Sequence, residues 1–304
     1  MDLKSSIKWL VTICLIAYLM IKLDINLILS TISSMNLVLI LVTLPLIVLM
    51  YGIRTVKWQL LLETIDIRIS FWKALKIFLI GTFYGSLTPG RAGELSRSLF
   101  LAEEKSKTIP TVIFDRIIDV FCLLLLSVAS VVLYFNNDIL IYLIIVLSLF
   151  FIIGTVILVN EKSVKLIYKL IKVKDEQART YSKNMSILLK NKKVILITSC
   201  MTLFYYAINI LVFWLLLKSI DLGIKDIVAV SLPVIVILAN IPVSISGIGV
   251  RELVSVMIFK FMNEQAAYGF AASMILYLLT TLAPGLVGSI FTLSKERDYA
   301  PAEQ

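Results

Sequence analysis

The sequence contains no histidine, only three cysteines and only seven prolines, and just 16% of its 304 residues are charged. Without histidine there is no imidazole for acid–base chemistry near neutral pH, and no His-ligated metal site. Cys14, Cys122 and Cys200 lie far apart, each inside an apolar run, and form no CxxC pattern. Zinc and redox motifs are therefore not expected, and the three thiols are read as small apolar fillers. There is no Ser/His/Asp set and no phosphate-binding loop, so neither triad hydrolysis nor ATP hydrolysis is expected of this chain. Nothing calls for a catalytic residue, a metal or a cofactor.

What is present is apolar. Hydrophobic residues make up 60% of the chain and the mean hydropathy is +0.98, whereas a soluble domain has roughly 45–50% apolar and about 25% charged residues. Such a chain suits a bundle of membrane segments of about 20 residues each, and leaves no room for a soluble catalytic domain. The net charge of +9 does not point to nucleic acid, because the Lys and Arg residues fall between apolar spans, as in cytoplasmic loops. The short basic start is followed by an apolar run without a small-residue cleavage site, so it reads as a first span rather than a removed signal peptide.

Full spans are expected over 7–21, 37–53, 109–135, 139–159, 194–217 and 266–293. Two further apolar stretches, 71–87 and 227–241, are interrupted by Pro and Gly. Lys and Arg in short loops set orientation. The lysine-dense segment 162–193 is cytoplasmic, and Asn136-Asn137-Asp138, without positive charge, is external. Lys4 and Lys8 place the N-terminus inside; Lys295 and Arg297 place the C-terminus inside. With Arg54 and Lys57 taken as the inner end of the second span, the stretch from Lys73 to Lys107 begins and ends inside. The stretch from Lys225 to Glu264 begins and ends outside. Each then enters, turns and returns. The expected fold is an all-α polytopic membrane protein: an inverted repeat of about six full transmembrane helices plus two re-entrant helical hairpins entering from opposite faces. The repeats are 1–135 and 136–304, with 160–193 as a cytoplasmic lysine-rich connector. Two interrupted segments in corresponding halves are the best sequence pointer to a transporter's binding site. Eight plain spans with two Pro kinks is the competing reading.

The two interruptions share a grammar. The first reads Thr88-Pro89-Gly90-Arg91-Ala92-Gly93-Glu94, then Leu95-Ser96-Arg97. The second reads Asn240-Ile241-Pro242-Val243-Ser244-Ile245-Ser246-Gly247-Ile248-Gly249-Val250-Arg251-Glu252. Pro ends a helix because it lacks a donor, and glycine permits positive φ and close backbone approach. Glu94 and Glu252 fall in or near the first turn of a following half-helix, where negative charge is favourable. Such an N-terminus offers free N–H groups to a phosphate or carboxylate, and Arg91, Arg97 and Arg251 can engage phosphate in a bidentate way. Two readings stand: an anionic lipid headgroup between the tips, or Arg and Glu pairing within each hairpin to lock the turn. Asp115 and Asp119, spaced i,i+4 with Arg116 between them, precede a long apolar run. They are read as partners of Arg91 or Arg97, as proton-coupling groups, or as interface residues a turn from water. Trp9, Trp58 and Trp72 read as interfacial belt residues. The segment 161–193 reads as amphipathic helices suited to an anionic membrane surface or to docking a partner.

At these motifs the chain resembles the lysylphosphatidylglycerol synthase transmembrane-region family, also called the flippase-like domain family. The matching pieces are Thr88–Glu94 with Arg97, Phe114-Asp115-Arg116-Ile117-Ile118-Asp119, and Ile241–Glu252, and the resemblance covers essentially the whole chain. Ser246 stands where the family usually has a further glycine, and Asp115 where it commonly has Glu. The resemblance implies a lipid translocase similar to the membrane half of the multiple peptide resistance factor, which moves aminoacylated phosphatidylglycerol. Archaeal relatives are associated with polyprenyl-linked glycan assembly. No aminoacyl-transferase domain accompanies these motifs up to Gln304, so lysyl transfer is not expected.

The leading expectation is therefore a cell-membrane lipid translocase for an anionic or aminoacylated phospholipid or a polyprenyl-phosphate-linked lipid. Its substrate-binding candidates are Pro89, Gly90, Arg91, Gly93, Glu94, Arg97, Asp115, Arg116, Asp119, Asn240, Ser244, Ser246, Gly247, Gly249, Arg251 and Glu252. The alternatives are a non-catalytic membrane partner of a separately encoded synthase or glycosyltransferase, and a membrane enzyme acting on a lipid phosphate. Membrane lipids are the expected partners, nucleic acid is not, and a homo-oligomer is left open.

Overall fold

A computed structural model of the chain describes residues 3–23, 25–135, 138–170 and 172–293. The external-loop residues Asn136 and Asn137 and the basic residues Lys295 and Arg297 lie outside this set. So do the side chains of Lys4, Lys8 and Trp9.

The described residues are almost entirely helical. The helices are α1 Leu3–Lys22, α2 Ile25–Ser33, α3 Leu37–Glu63, α4 Phe71–Ser86, α5 Lys105–Ser130, α6 Asp138–Val159 and α7 Glu161–Leu170. They continue with α8 Asp175–Lys190, α9 Lys192–Ile220, α10 Leu232–Ala239, α11 Val250–Phe261, α12 Ala266–Tyr277 and α13 Ala283–Leu293. A π turn, Leu278–Leu282, joins α12 to α13. Five helical stretches are long and apolar enough to cross a membrane by length and composition: Leu37–Glu63, Lys105–Tyr134, Asp138–Val159, Lys192–Ile220 and Ala266–Thr292. The sixth expected span, 7–21, falls within the 20-residue α1.

Local chemistry sets the boundaries. The Asn36 side chain accepts from the Val38 N–H at 2.9 Å and starts α3. Asn191 does the same for α9 through the Val194 N–H at 3.2 Å. Each interrupted segment is two helical pieces around a break. In the first, α4 ends at Ser86 and a 3-10 segment, Ala92–Phe100, follows. In the second, a 3-10 turn Asp226–Ser231 leads into α10, the chain breaks over 240–249, and α11 resumes. The expected α half-helix after the first break is therefore corrected to a 3-10 helix. In that geometry side chains at i and i+3 eclipse, which stacks Arg97 directly on Glu94 (3.1 Å).

Packing is pairwise: α3 lies against α9, α4 against α13, α10 against α5, and α11 against α12. Small residues bring these pairs close. A Cβ at Gly288 would overlap the Leu79 carbonyl, and Ser255 Oγ donates to the Gly269 carbonyl at 2.8 Å. The main core centres on Trp58, Leu61, Phe78, Phe114 and Phe213. Trp58 is thus corrected from a belt residue to a core residue: it is wholly buried and donates to Thr111 Oγ1 at 3.2 Å. Trp72 is 70% exposed and keeps a surface position. The connector is two helices. α8 buries Ala178, Tyr181, Met185 and Leu188 and packs on α5, and Tyr181 OH donates to the Leu158 carbonyl at the end of α6 (3.0 Å). α6 itself buries only Ile144.

Candidate functional site

The two breaks meet. Pro89 and Ile245 form an isolated antiparallel bridge, and the Ser246 N–H donates to the Thr88 carbonyl at 3.4 Å. The backbones on either side match. After the bridge residue the first tip has two consecutive positive φ angles, Gly90 (58°) and Arg91 (57°); the second has Ser246 (52°) and Gly247 (77°). Both glycines are forced by space as well as by φ. A Cβ on Gly90 would press on Pro242 at 3.3 Å, and one on Gly247 on the Ala239 carbonyl at 2.5 Å. Gly93 sits against the Tyr84 carbonyl and Gly249, at φ 85°, against Leu15 of α1. The Ile245 N–H donates to Thr12 Oγ1 at 3.1 Å, so α1 backs the second tip.

Beside the bridge lies a buried ion-pair cluster built by three elements. α3 supplies Arg54 and Lys57, the 3-10 segment supplies Glu94 and Arg97, and α5 supplies Asp115, Arg116 and Asp119. Arg54/Lys57, Glu94/Arg97, Asp115/Asp119 and Arg116/Asp119 are each three or four residues apart, so each pair shares a helix face. Arg97 bridges Glu94 (3.1 Å) and Asp115 (3.0 Å). Lys57 reaches Asp115 at 2.7 Å and is also paired with Asp119. Asp119 further pairs with Arg54 at 3.3 Å and accepts from Thr202 of α9 at 3.3 Å. Arg116 pairs with Glu94. Arg97 lies over the Phe78 and Trp58 rings, and Arg54 over Phe78 and Tyr205. In so dry a place, removing one partner leaves an uncompensated charge, typically at a cost of about 3–5 kcal/mol.

The sequence-nominated residues divide cleanly. The Arg97–Asp115 pair is present, and with Asp115 fully buried its reading as an interface residue is corrected. Within the first tip Arg and Glu do pair: Glu94 takes Arg97 at 3.1 Å and Arg91 at 3.9 Å. The second tip differs. Glu252 accepts from the Gly249 N–H at 2.7 Å and the Arg251 N–H donates to the Gly247 carbonyl at 2.9 Å, so two of the N–H groups at the start of α11 are already taken. Arg251 instead donates to the Ser246 carbonyl at 3.1 Å and lies over the Tyr277 ring. No carboxylate among the described residues lies within 4.0 Å of it. Ser244 is buried, and its hydroxyl finds no partner.

By sequence Arg54 and Lys57 read as the inner end of the second span. They are 6% and 1% exposed, inside a helix that runs unbroken to Glu63. Their i,i+3 spacing within 53–63, a stretch without Gly or Pro, is the available signal. Tyr205, Tyr206 and Asn209 of α9 were not nominated either, because nothing in an apolar helix marks them.

Between the tips and this cluster is a polar cavity walled by Arg54, Arg91, Arg116, Asn209, Asn240 and Arg251, with Asp119 its sole carboxylate among the described residues. Its free space is about 50 Å³. That admits a few waters and no headgroup, so the arrangement is a closed one. Arg91, Arg116 and Asn240 also border a second space of about 360 Å³ between the first tip, α5 and α6, lined mainly by apolar side chains such as Val112, Ile117 and Phe151. Val120 and Asn240 connect it to a third of about 440 Å³, walled by Leu124, Phe150 and Pro242. Together these form an apolar furrow between α5 and α6 that joins the polar cavity along one wall. Among the described residues, no three His, Cys, Asp or Glu side chains gather as metal ligands.

Residues 5–288 match the family described as the lysylphosphatidylglycerol synthase TM region. The chain belongs to that family. It is also 24% identical over 289 residues to a UPF0104 membrane protein of Pyrococcus horikoshii, covering 82% of this chain and 86% of the relative. The lysylphosphatidylglycerol synthase TM-region match spans both tips and the ion-pair cluster, and several apolar helices make this a multi-pass membrane protein.

Proposed function

We propose that this chain is a lipid translocase that carries an anionic headgroup between leaflets. The carrying observation is the join between an arginine-walled cavity and an apolar furrow. A lipid needs both at once: the headgroup passes through the cavity while its tails stay in the furrow against α5 and α6. Non-helical backbone at membrane depth is tolerated only where protein buries it or where it lines a wet cavity, and the two meeting tips fit that condition. The exchange of partners supports an inverted repeat. The first interrupted segment packs on the last span through α4 and α13, and the second packs on the corresponding span of the first half through α10 and α5. On this reading both interrupted segments are re-entrant, the lysine-rich connector and both termini are cytoplasmic, and the protein resides in the cell membrane. Because the cavity is closed, transport requires the Glu94 and Asp119 ion pairs to rearrange.

The test is headgroup translocation in liposomes holding the pure protein and labelled lipids, with Glu94→Gln and Arg251→Ala alongside. Movement of one anionic class by the wild type, lost in both folded variants, supports the reading. Absence of movement for every lipid tested, or equal movement in wild type and both variants, sinks it.

A further inference from the structure

The charges around the tips do not balance. Six cations, Arg54, Lys57, Arg91, Arg97, Arg116 and Arg251, meet four carboxylates, Glu94, Asp115, Asp119 and Glu252. Two positive charges are left over, and holding a cation away from water without a counter-charge is unfavourable. The surplus has an address. Among the described residues Arg251 has no carboxylate partner, and Arg91, which donates to Thr281 Oγ1 at 2.9 Å, has as its carboxylate contact only a Glu94 3.9 Å away that Arg97 and Arg116 already hold. These two arginines come from opposite tips and share the cavity wall. A third donor points the same way: Arg54 Nε, in a side chain 7% exposed, has no hydrogen-bond partner.

In this closed arrangement no carboxylate among the described residues is left free for an ammonium group; the unpartnered acceptor on the cavity wall is the neutral Asn209 Oδ1. Glu94, Asp115 and Asp119 are held by guanidinium or ammonium groups, and Glu252 caps α11.

From this balance we infer that the headgroup taken by the cavity is a dianion, a terminal phosphomonoester on an apolar tail, rather than a phosphodiester or an aminoacylated headgroup. The inference rests on reading the cavity as a headgroup site. A phosphomonoester carries close to two negative charges near neutral pH and three strong acceptor oxygens, enough to engage Arg91 and Arg251 together through their forked donors. A diester neutralises one surplus charge and leaves the other buried. A lysylated diester brings a net positive charge to a wall that already has too many. The apolar furrow beside Arg91 and Arg116 is what separates a lipid from free phosphate as the source of that dianion.

The experiment uses the full chain in detergent with four probes: a short-chain phosphatidic acid, its methyl phosphodiester with the same tails, a lysylated phosphatidylglycerol, and inorganic phosphate. Binding is read by thermal unfolding. The phosphatidic acid should bind at least tenfold more tightly than the methyl diester, the lysylated lipid should give no shift, and inorganic phosphate should bind at least tenfold more weakly than the phosphatidic acid. Arg251→Ala should abolish the monoester preference. Arg251→Lys, which keeps the charge if the alanine variant does not fold, should retain it with weaker binding. Equal binding of monoester and diester, or tighter binding of the lysylated lipid, overturns the inference. Inorganic phosphate binding as well as the lipid overturns the assignment to a lipid. If the monoester preference holds while liposomes show no translocation, the transport reading fails and this one stands; transport of the diester or lysylated lipid alone gives the reverse.

Discussion

At the scale of residues, the structure explains why particular side chains cannot be exchanged. Gly247 combines φ of 77° with a wall, the Ala239 carbonyl, where a Cβ would stand. Gly247→Ala should therefore cost more than the usual 1–2 kcal/mol of left-handed backbone and lower the unfolding temperature of the purified protein. Its neighbour Ser246 pays that cost already, at φ 52°, where the family usually has glycine. Ser246→Gly should be neutral or stabilising by up to about 1 kcal/mol, the relief of left-handed strain being offset in part by a freer unfolded chain. Lys57 is a different case. It is 1% exposed and holds Asp115 and Asp119 at once. Lys57→Met fills the same space without the charge and should destabilise by about 3 kcal/mol, the low end for breaking a buried pair, because Arg97 and Arg54 still neutralise the two carboxylates. A thermal-unfolding shift no larger than that of an exposed control such as Lys169→Ala would contradict a central role for Lys57.

At the scale of elements, α6 stands apart. It carries the strongest apolar signal of any span yet packs loosely, with Ile144 its one buried residue among those described. One of its faces borders the furrow through Phe151, Gly154, Thr155 and Leu158. Gly154 has nothing within 4 Å of where a Cβ would lie. Gly154→Phe should therefore leave the unfolding temperature within the range of surface changes, about 0.5 kcal/mol, while filling the furrow and slowing lipid translocation at least tenfold. Unchanged transport in that variant would remove the furrow from the path. The 3-10 segment makes the complementary point. Its two charges are legible in sequence, but the tighter winding that stacks Arg97 on Glu94 is set by what surrounds it: Asp115 and Lys57 on one side, Trp58 and Phe78 on the other.

At the scale of the whole molecule, the test is topological. In a cysteine-free background, Lys174→Cys in the connector and Leu222→Cys in the loop after α9 are both exposed. On the proposed arrangement an impermeant thiol reagent added to intact cells labels residue 222 and spares residue 174, and inverted membrane vesicles reverse the pattern. Labelling of both from one side would break the crossing count on which the re-entrant reading depends. The proposed inverted repeat predicts that each interrupted segment packs on the last span of the other half, and the α4–α13 and α10–α5 contacts are compatible with it.

The lipid surround and the helix breaks can be read from the residues alone. Long apolar runs without charge require a lipid surround. Pro and Gly at 89–93 and 242–249 must interrupt helices, because Pro lacks a donor and the backbone there needs positive φ. The sequence also singles out Glu94, Arg97, Asp115, Asp119 and Arg251, since charges inside apolar stretches need partners. Who those partners are follows from how the helices pack. Arg54 and Lys57 read as the inner end of a span because hydropathy falls where they begin, yet α3 carries them into the core, 65 and 62 positions away from the Asp119 they neutralise. Pairing across such distances depends on which helices pack together, as does the contact of the two tips through Pro89 and Ile245. Composition and periodicity carry no record of that choice; side-chain fit and charge balance in a dry interior make it.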